Sequence, residues 1–353
     1  MKFTIQQEDL KKSLESIIGV CKQNAQLPIL GNILIEVDKE IKFTSSDLEI
    51  FASSVVKGKI EKEGSFTVNG TLFNNYVNLL PNELIKFELV KNELKIECKN
   101  YKTKIKGEEA ENYPTKPDVK SKEIFILKFE EFKEAINKVI FSAANNETRI
   151  ELSGVYFKFE KEKLILATTD SYRLAERKLK GDFKESSFIL PKNVFEVMNK
   201  YKDTEDIKII LNEGYITLKY GNVILIARLI EGSYPDYKQI ISKKKKTSVV
   251  IDREELLRAV RASSMLSSDY GDIQIIVSKQ SLSINSLSQK GESNVNIDVQ
   301  SDGENETKVN YKYLVDILNS HKDEKVTMIL NETSDPVLFN FGKDDLYLIM
   351  SIK

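Results

Sequence analysis

The chain has 353 residues, 41% of them hydrophobic and 30% charged, with a formal net charge of −1. That is enough apolar material for buried cores in two or three domains, and it excludes a disordered or collagen-like chain. A pI near 6.2 argues against a protein held on nucleic acid by many phosphate contacts, but not against basic residues gathered on one face. One histidine, His321, and two cysteines, Cys21 and Cys98, leave almost nothing for a histidine triad or a zinc site. The cysteine spacing suggests neither a metal site nor a disulfide framework, and both read as free thiols. No glycine-rich nucleotide loop occurs, so no cofactor is expected. No run of about 18 apolar residues occurs either. The start, MKFTIQQEDLKKSLESI, reads as a strand and an amphipathic helix, not a signal peptide, so a cytoplasmic protein is expected.

Taken in order, the elements repeat about every 122 residues. Phe3-Thr4-Ile5 leads into a helical pattern at Leu10, Leu14 and Ile17. Phe125-Ile126-Leu127 leads into Phe132, Ile136 and Val139, and Val249-Val250-Ile251 into Leu256 and Val260. In each copy the apolar period changes from two to i, i+4, i+7, with acidic residues in the helix's first turn. A second repeat lies halfway through each copy. Phe66-Thr67-Val68 precedes a helix carrying Leu72, Phe73, Tyr76, Val77 and Leu80. Phe188-Ile189-Leu190 precedes Val194, Phe195 and Met198, and Thr307-Lys308-Val309 precedes Tyr313, Leu314, Ile317 and Leu318. Alternating segments between them, such as Ile33–Val37 and Ile273–Val277, read as antiparallel strands.

Each third is therefore a strand-helix-antiparallel-sheet unit duplicated within itself, an α+β arrangement. Expected domains are 1–121, 122–246 and 247–353. The first boundary follows Tyr113-Pro114-Thr115-Lys116-Pro117-Asp118, and the second is the run Lys243–Lys246, which reads as a solvated linker or loop in preference to a phosphate-contact patch. The helices' polar faces carry Lys12, Lys138, Lys192, Lys200, Arg258, Arg261 and Lys312; either a basic-lined surface or ordinary helix-surface lysines fits these residues.

Several segments, in order along the whole chain, resemble the bacterial sliding clamps, the β subunits of the replicative DNA polymerase (the DNA polymerase III β family). They are MKFTI, Leu27-Pro28-Ile29-Leu30-Gly31-Asn32, Thr44-Ser45-Ser46-Asp47-Leu48-Glu49, Thr169-Asp170-Ser171-Tyr172-Arg173-Leu174-Ala175, Phe188-Ile189-Leu190-Pro191-Lys192, Glu231-Gly232-Ser233-Tyr234-Pro235-Asp236-Tyr237 and the tail from Tyr347. The resemblance implies three similar DNA-clamp domains per chain and a head-to-tail homodimeric ring whose helices line the hole. It implies no catalytic chemistry. The implied function is to encircle duplex DNA without reading its sequence and to tether the replicative polymerase, giving processivity. The implied partners are double-stranded DNA, a second copy of the chain, the polymerase catalytic subunit, the clamp loader, and repair and translesion polymerases.

The resemblance also implies site residues. A partner-peptide groove matches Leu152, Thr169, Ser171, Tyr172, Arg173, Leu174, Pro235, Ile240, Asn310, Tyr313, Leu348, Met350 and Ile352. Apolar and aromatic groups there would bury a peptide's anchors, and Arg173 and Asn310 would bond its carbonyls. DNA-facing positions match Lys22, Asn24, Asn146, Arg149 and Lys192. Asn24 stands where some members carry arginine, and Ile150 and Glu151 where some carry tyrosine. Met265 and Leu266 match the dimer contact; Ser351 and Lys353 replace a proline and an arginine found in some tails. Two other readings stay open on the residues alone: a tandem-repeat interaction scaffold unrelated to DNA, and an enzyme using Asp170 and Arg173 in a cleft.

Overall fold

A computed structural model describes residues 1–22, 26–117, 123–145, 148–201, 204–242 and 244–352. The expected boundary at 121, together with Asp118, Asn24, Asn146, Lys243 and Lys353, lies outside them. Six α-helices occur among the described residues: α1 (Gln7–Ile17), α2 (Gly70–Leu79), α3 (Phe129–Asn137), α4 (Asn193–Met198), α5 (Arg253–Ser264) and α6 (Tyr311–Asn319). Each follows directly on a strand, as the double repeat requires. Side-chain caps fix three of the entries. Asn69 accepts from the Leu72 amide at 2.9 Å, Asp252 from Glu255 at 2.8 Å and Asn310 from Lys312 at 2.9 Å. Such caps satisfy amides that the helix itself leaves open, each contributing about 1 kcal/mol.

The helical patterns point inward as read. Leu10, Leu14, Ile17, Phe132, Ile136, Val139, Leu256 and Val260 are all buried. Leu72 departs from the reading, with 54% of its surface exposed, because Phe73 and Val77 alone fill the inner face of α2. Lys138 departs too. Its ammonium pairs with Asp345 at 3.4 Å and Glu134 at 3.1 Å, so it is not a free surface cation.

The chain divides into two compact units that cut through the middle third of the repeat: residues 1–133 with 193–229, and residues 134–192 with 230–353. The division follows the sheets. In the first unit a thirteen-stranded antiparallel sheet runs in the order Glu123–Lys128, Asp206–Leu211, Tyr215–Tyr220, Val223–Arg228, Ile50–Val56, Ile41–Ser46, Asn32–Val37, Gly64–Asn69, Tyr101–Glu108, Glu93–Cys98, Leu84–Val90, Lys2–Gln6, Gly58–Lys62. Phe3 stacks on Phe87 at 4.7 Å, and Phe87 meets Phe73 of α2 edge-on at 6.1 Å. Cys21 and Cys98 are free thiols, and burial pushes Cys21 up to about 11.

In the second unit eight antiparallel strands run Ser186–Pro191, Gly154–Glu160, Lys163–Thr169, Arg173–Lys180, Asp345–Ile349, Val337–Phe341, Lys325–Leu330, Thr247–Asp252. A separate four-stranded sheet runs Gly291–Asp298, Ser281–Ser288, Asp272–Val277, Asn305–Asn310. Helices α5 and α6 pack on each other. No helix among the described residues is long and apolar enough to cross a membrane.

His321 is buried in this unit. It stacks on Phe341 at 3.8 Å, with Nδ1 2.8 Å from the Asp323 carboxylate and Nε2 2.5 Å from the Tyr347 hydroxyl. Burial holds His321 below its ordinary value of 6.5, with Asp323 pulling the other way. Unfolded, the ring takes a proton near 6.5; folded, it resists doing so. Stability is therefore full above about pH 6.5 and falls as the pH drops toward the depressed folded value. The thermal midpoint should decline between about pH 7 and about pH 5.5, and His321→Gln should flatten that decline. An unchanged slope in the variant would remove His321 as its source.

Candidate functional site

The segment Thr168–Leu174 is a tight reversal between strands Lys163–Thr169 and Arg173–Lys180. Ser171 sits at φ 79°, in the left-handed region that non-glycine residues seldom occupy. Local hydrogen bonds hold it there. The Asp170 carboxylate accepts from the amides of Tyr172 and Arg173, both at 3.0 Å. The Thr169 hydroxyl accepts from the Ser171 amide at 3.2 Å and donates to the Arg173 carbonyl at 2.6 Å. The Thr168 hydroxyl donates to the Val139 carbonyl. Asp170 is thus a turn-former, and it leaves the Tyr172 ring pointing outward with 63% exposure.

Strand pairing then brings the chain's tail to this turn. Arg173–Arg177 pairs with Asp345–Ile349, and the Met350 amide donates to the Tyr172 carbonyl at 2.8 Å. Met350 rests, half-buried, on a cluster that includes Leu174, Leu348, Ala167 and Tyr237. Leu174 and Leu348 are buried beneath Met350, and Leu152 is buried as well. Tyr237 is locked by its hydroxyl, which donates to Glu176 at 2.5 Å, and both burial and that carboxylate raise the phenol. It opens the turn Tyr237–Ile240, which leaves Ile240 exposed. Pro235 enters this turn, its carbonyl accepting from the Tyr237 amide at 2.8 Å. Tyr234 stacks flat on Tyr156 at 4.7 Å.

Arg173 is held on every side. Its guanidinium meets Asp170 at 2.9 Å, Asp316 at 2.5 Å and the Phe141 carbonyl at 2.7 Å, and lies 4.6 Å from the centre of the Tyr313 ring. Asn310 is committed as well: its carbonyl oxygen caps α6 and its amide donates to the Tyr270 carbonyl at 3.0 Å. In this state both side chains organise the surface through these bonds. Ile352 is placed apart from the Tyr172–Met350 pair. Its amide bonds the Lys308 carbonyl at 2.8 Å, and its side chain lines a shallow pocket with Thr307 and Gln274. Phe141, Asp316 and Glu176 were missed by sequence reasoning. Only Asp316, three residues after Tyr313 on α6, carried a signal, since that spacing shares a helix face.

The DNA-facing expectations divide. Lys22 is exposed. Arg149 is engaged with Glu151 at 3.0 Å and the Ser171 hydroxyl at 3.3 Å, so Glu151 neutralises an arginine locally. Lys192 donates to the Ala144 carbonyl at 3.1 Å and to Asn145. Met265 stands at the end of α5 with 81% of its surface exposed, next to half-buried Leu266. Among the described residues no group of His, Cys, Asp and Glu could hold a metal ion.

Removing Arg173 leaves Asp170 and Asp316 without their shared cation, and breaking a largely buried pair is costly. Arg173→Ala should lower stability by about 3 kcal/mol, read from the urea midpoint. A midpoint within about 0.5 kcal/mol of wild type would return Arg173 to a ligand-facing role.

Comparison with known proteins accounts for the whole arrangement. Models of the DNA polymerase III beta subunit match in order: the N-terminal domain over residues 1–117, the central domain over 126–236 and the C-terminal domain over 238–352. The beta sliding clamp of Buchnera aphidicola is 28% identical over 366 residues, spanning 100% of both chains. That of Bacillus subtilis is 29% identical over 283 residues, covering 76% of this chain and 75% of its own. The solved DNA polymerase sliding clamp from Bacillus subtilis superposes with a TM-score of 0.94 at 25% identity, covering 100% of this chain and 99% of that one. The chain, with its three α+β domains, belongs to the DNA polymerase III beta subunit family, the beta sliding clamps.

Proposed function

We propose that two copies of this chain close head-to-tail into a ring around duplex DNA, and that partners dock by short peptides over Tyr172 and Met350. The ordered match of three family domains along the chain carries this reading. Membership makes the chain a DNA sliding clamp, a non-catalytic processivity subunit serving DNA polymerase III. The scaffold unrelated to DNA and the Asp170–Arg173 enzyme lose their support accordingly; Asp170 and Arg173 are occupied in holding a turn. The proposal takes domain boundaries near residues 121 and 246, a cytoplasmic location, and clamp loader, repair and translesion polymerases among the docking partners.

Ring closure is supported by two open strand edges. Gly291–Asp298 is the outermost strand of its sheet, and α5 packs on it, ending in exposed Met265. In the first unit, Tyr101–Glu108 meets Gly64–Asn69 through Gly107 and Glu108, so among the described residues Tyr101–Lys106 pair with a strand on one side alone. Unpaired edges of this kind are templates for pairing with another chain. A head-to-tail contact between two different surfaces closes when the rotation does. Retention on DNA then comes from topology, which suits a net charge of −1. Lys22, Asn24, Asn146, Arg149 and Lys192 would supply loose, sequence-independent phosphate contacts.

Docking uses exposed Tyr172 and Ile240 with half-buried Met350 and Tyr313, over buried Leu174 and Leu348, with Leu152, Thr169, Ser171, Arg173, Pro235 and Asn310 shaping the site and Ile352 at its far side. Methionine adapts to anchors of different shape, which suits a surface shared by several partners.

Two experiments test these points. Loaded by a clamp loader and ATP, the protein should stay on nicked circular DNA and be lost when the circle is cut; equal retention on both forms defeats the topological claim. Met350→Ala combined with Tyr172→Ala should weaken binding of a polymerase tail peptide by at least about tenfold, from loss of about 1.4 kcal/mol or more of apolar burial, with the dimer intact by light scattering. Undiminished affinity would move the docking site elsewhere.

A further inference from the structure

The turn that builds the docking site occurs a second time, in the first unit. Leu48 sits at φ 77°, as Ser171 does at 79°. The Asp47 carboxylate accepts from the amides of Glu49 at 3.1 Å and Ile50 at 2.7 Å, the Ser46 hydroxyl accepts from Leu48 at 3.0 Å, and Ser45 donates to the Ile17 carbonyl at 2.7 Å. The Arg228 amide bonds the Glu49 carbonyl at 2.9 Å, as Met350 bonds Tyr172. Strand register extends the match. Leu34 faces Thr44 as Tyr156 faces Ala167, and Thr44 faces Ser53 as Ala167 faces Glu176. Downstream, Tyr113-Pro114-Thr115-Lys116 stands where the second unit has Tyr234-Pro235-Asp236-Tyr237.

One position differs in kind. In the second unit the space above Ala167 and Leu174 is filled by the chain's own Tyr237, whose hydroxyl ends on Glu176. In the first unit the matching residue is Lys116, exposed at the surface. A cavity of about 370 Å³ lies there, bounded by Leu34, Thr44, Phe51, Ser53, Tyr113 and Lys116. Leu34, Phe51, Ala110, Tyr113 and Pro114 give it an apolar and aromatic side, and Ser65, Glu111, Thr115 and Lys116 complete the lining. Its polar floor is the Thr44 and Ser53 hydroxyls, 2.9 Å apart, at the positions that correspond to Ala167 and Glu176. Glu36 and Lys42 at its side pair with each other at 2.8 Å, and Glu111 and Lys116 carry opposite charges, so the lining as a whole has no net charge.

We propose that this cavity binds a neutral phenol ring, the tyrosine side chain of a partner's segment, in the place that Tyr237 takes for itself in the second unit. The ring would lie between Leu34, Phe51 and Tyr113, and its hydroxyl would donate to or accept from the Ser53–Thr44 pair. This site is separate from the Tyr172–Met350 surface and does not depend on the reading given to that surface.

The probes are p-cresol, which is the tyrosine side chain alone, and toluene, which lacks the hydroxyl. They are titrated into the full chain with labelled leucine methyls. Leu34 should shift saturably, with p-cresol binding about fivefold tighter than toluene, the worth of one hydrogen bond. Thr44→Val with Ser53→Ala should erase that preference while keeping toluene binding. Lys116→Tyr, which supplies an internal occupant, should abolish both. No saturable shift at Leu34, or an unchanged response in Lys116→Tyr, would overturn the proposal, and so would a cavity already filled by the chain's own residues beyond Pro117.

Discussion

Main-chain pairing between one third of the chain and the next is the constraint on which the rest depends. Ile50–Ser54 pairs with Val223–Ala227, and Arg173–Arg177 pairs with Asp345–Ile349, each as an antiparallel ladder. These ladders carry sheets across the repeat boundaries, which is why compact units do not coincide with repeats. They also fix where each third's last strand ends. Because residues 345–349 are registered against 173–177, Met350 has to arrive beside Tyr172. The Tyr172–Met350 surface is thus a by-product of strand register, and a one-residue slip would turn its side chains to the other face.

Side chains at the two ladder ends decide what each junction can do. In the second unit the end is apolar, with Tyr172 and Met350 over Leu174 and Leu348. In the first unit the same positions hold Glu49 and Arg228, an exposed ion pair at 3.8 Å. Exposed pairs of this type contribute little to stability, but they offer no anchor for an apolar peptide. Identical backbone geometry therefore produces one greasy surface and one polar one.

Periodicity made much of the fold legible. The buried faces of α1, α3 and α5 are the residues that alternate correctly in the sequence, and each helix begins where a strand's period of two gives way. Leu72 shows the limit, since a leucine at helical spacing is exposed when its neighbours already fill the inner face. The candidate site was read only through resemblance, and local sequence pattern carried little of its bonding. Arg173, expected from the resemblance to bond a peptide, meets Asp316, far away in sequence, at 2.5 Å. The Tyr237–Glu176 bond likewise joins residues whose separation no local pattern encodes.

The Asp47 and Asp170 turns hold their shape through a carboxylate, neighbouring hydroxyls and the backbone. None of those atoms belongs to the side chain of the two residues at each tip, Leu48 and Glu49 or Ser171 and Tyr172. Mutation can therefore change the side-chain chemistry of either tip while the bonds that hold the turn stay in place. After duplication, one copy could keep a sticky tip and the other a charged one at almost no structural cost, and a future variant could exchange them just as freely.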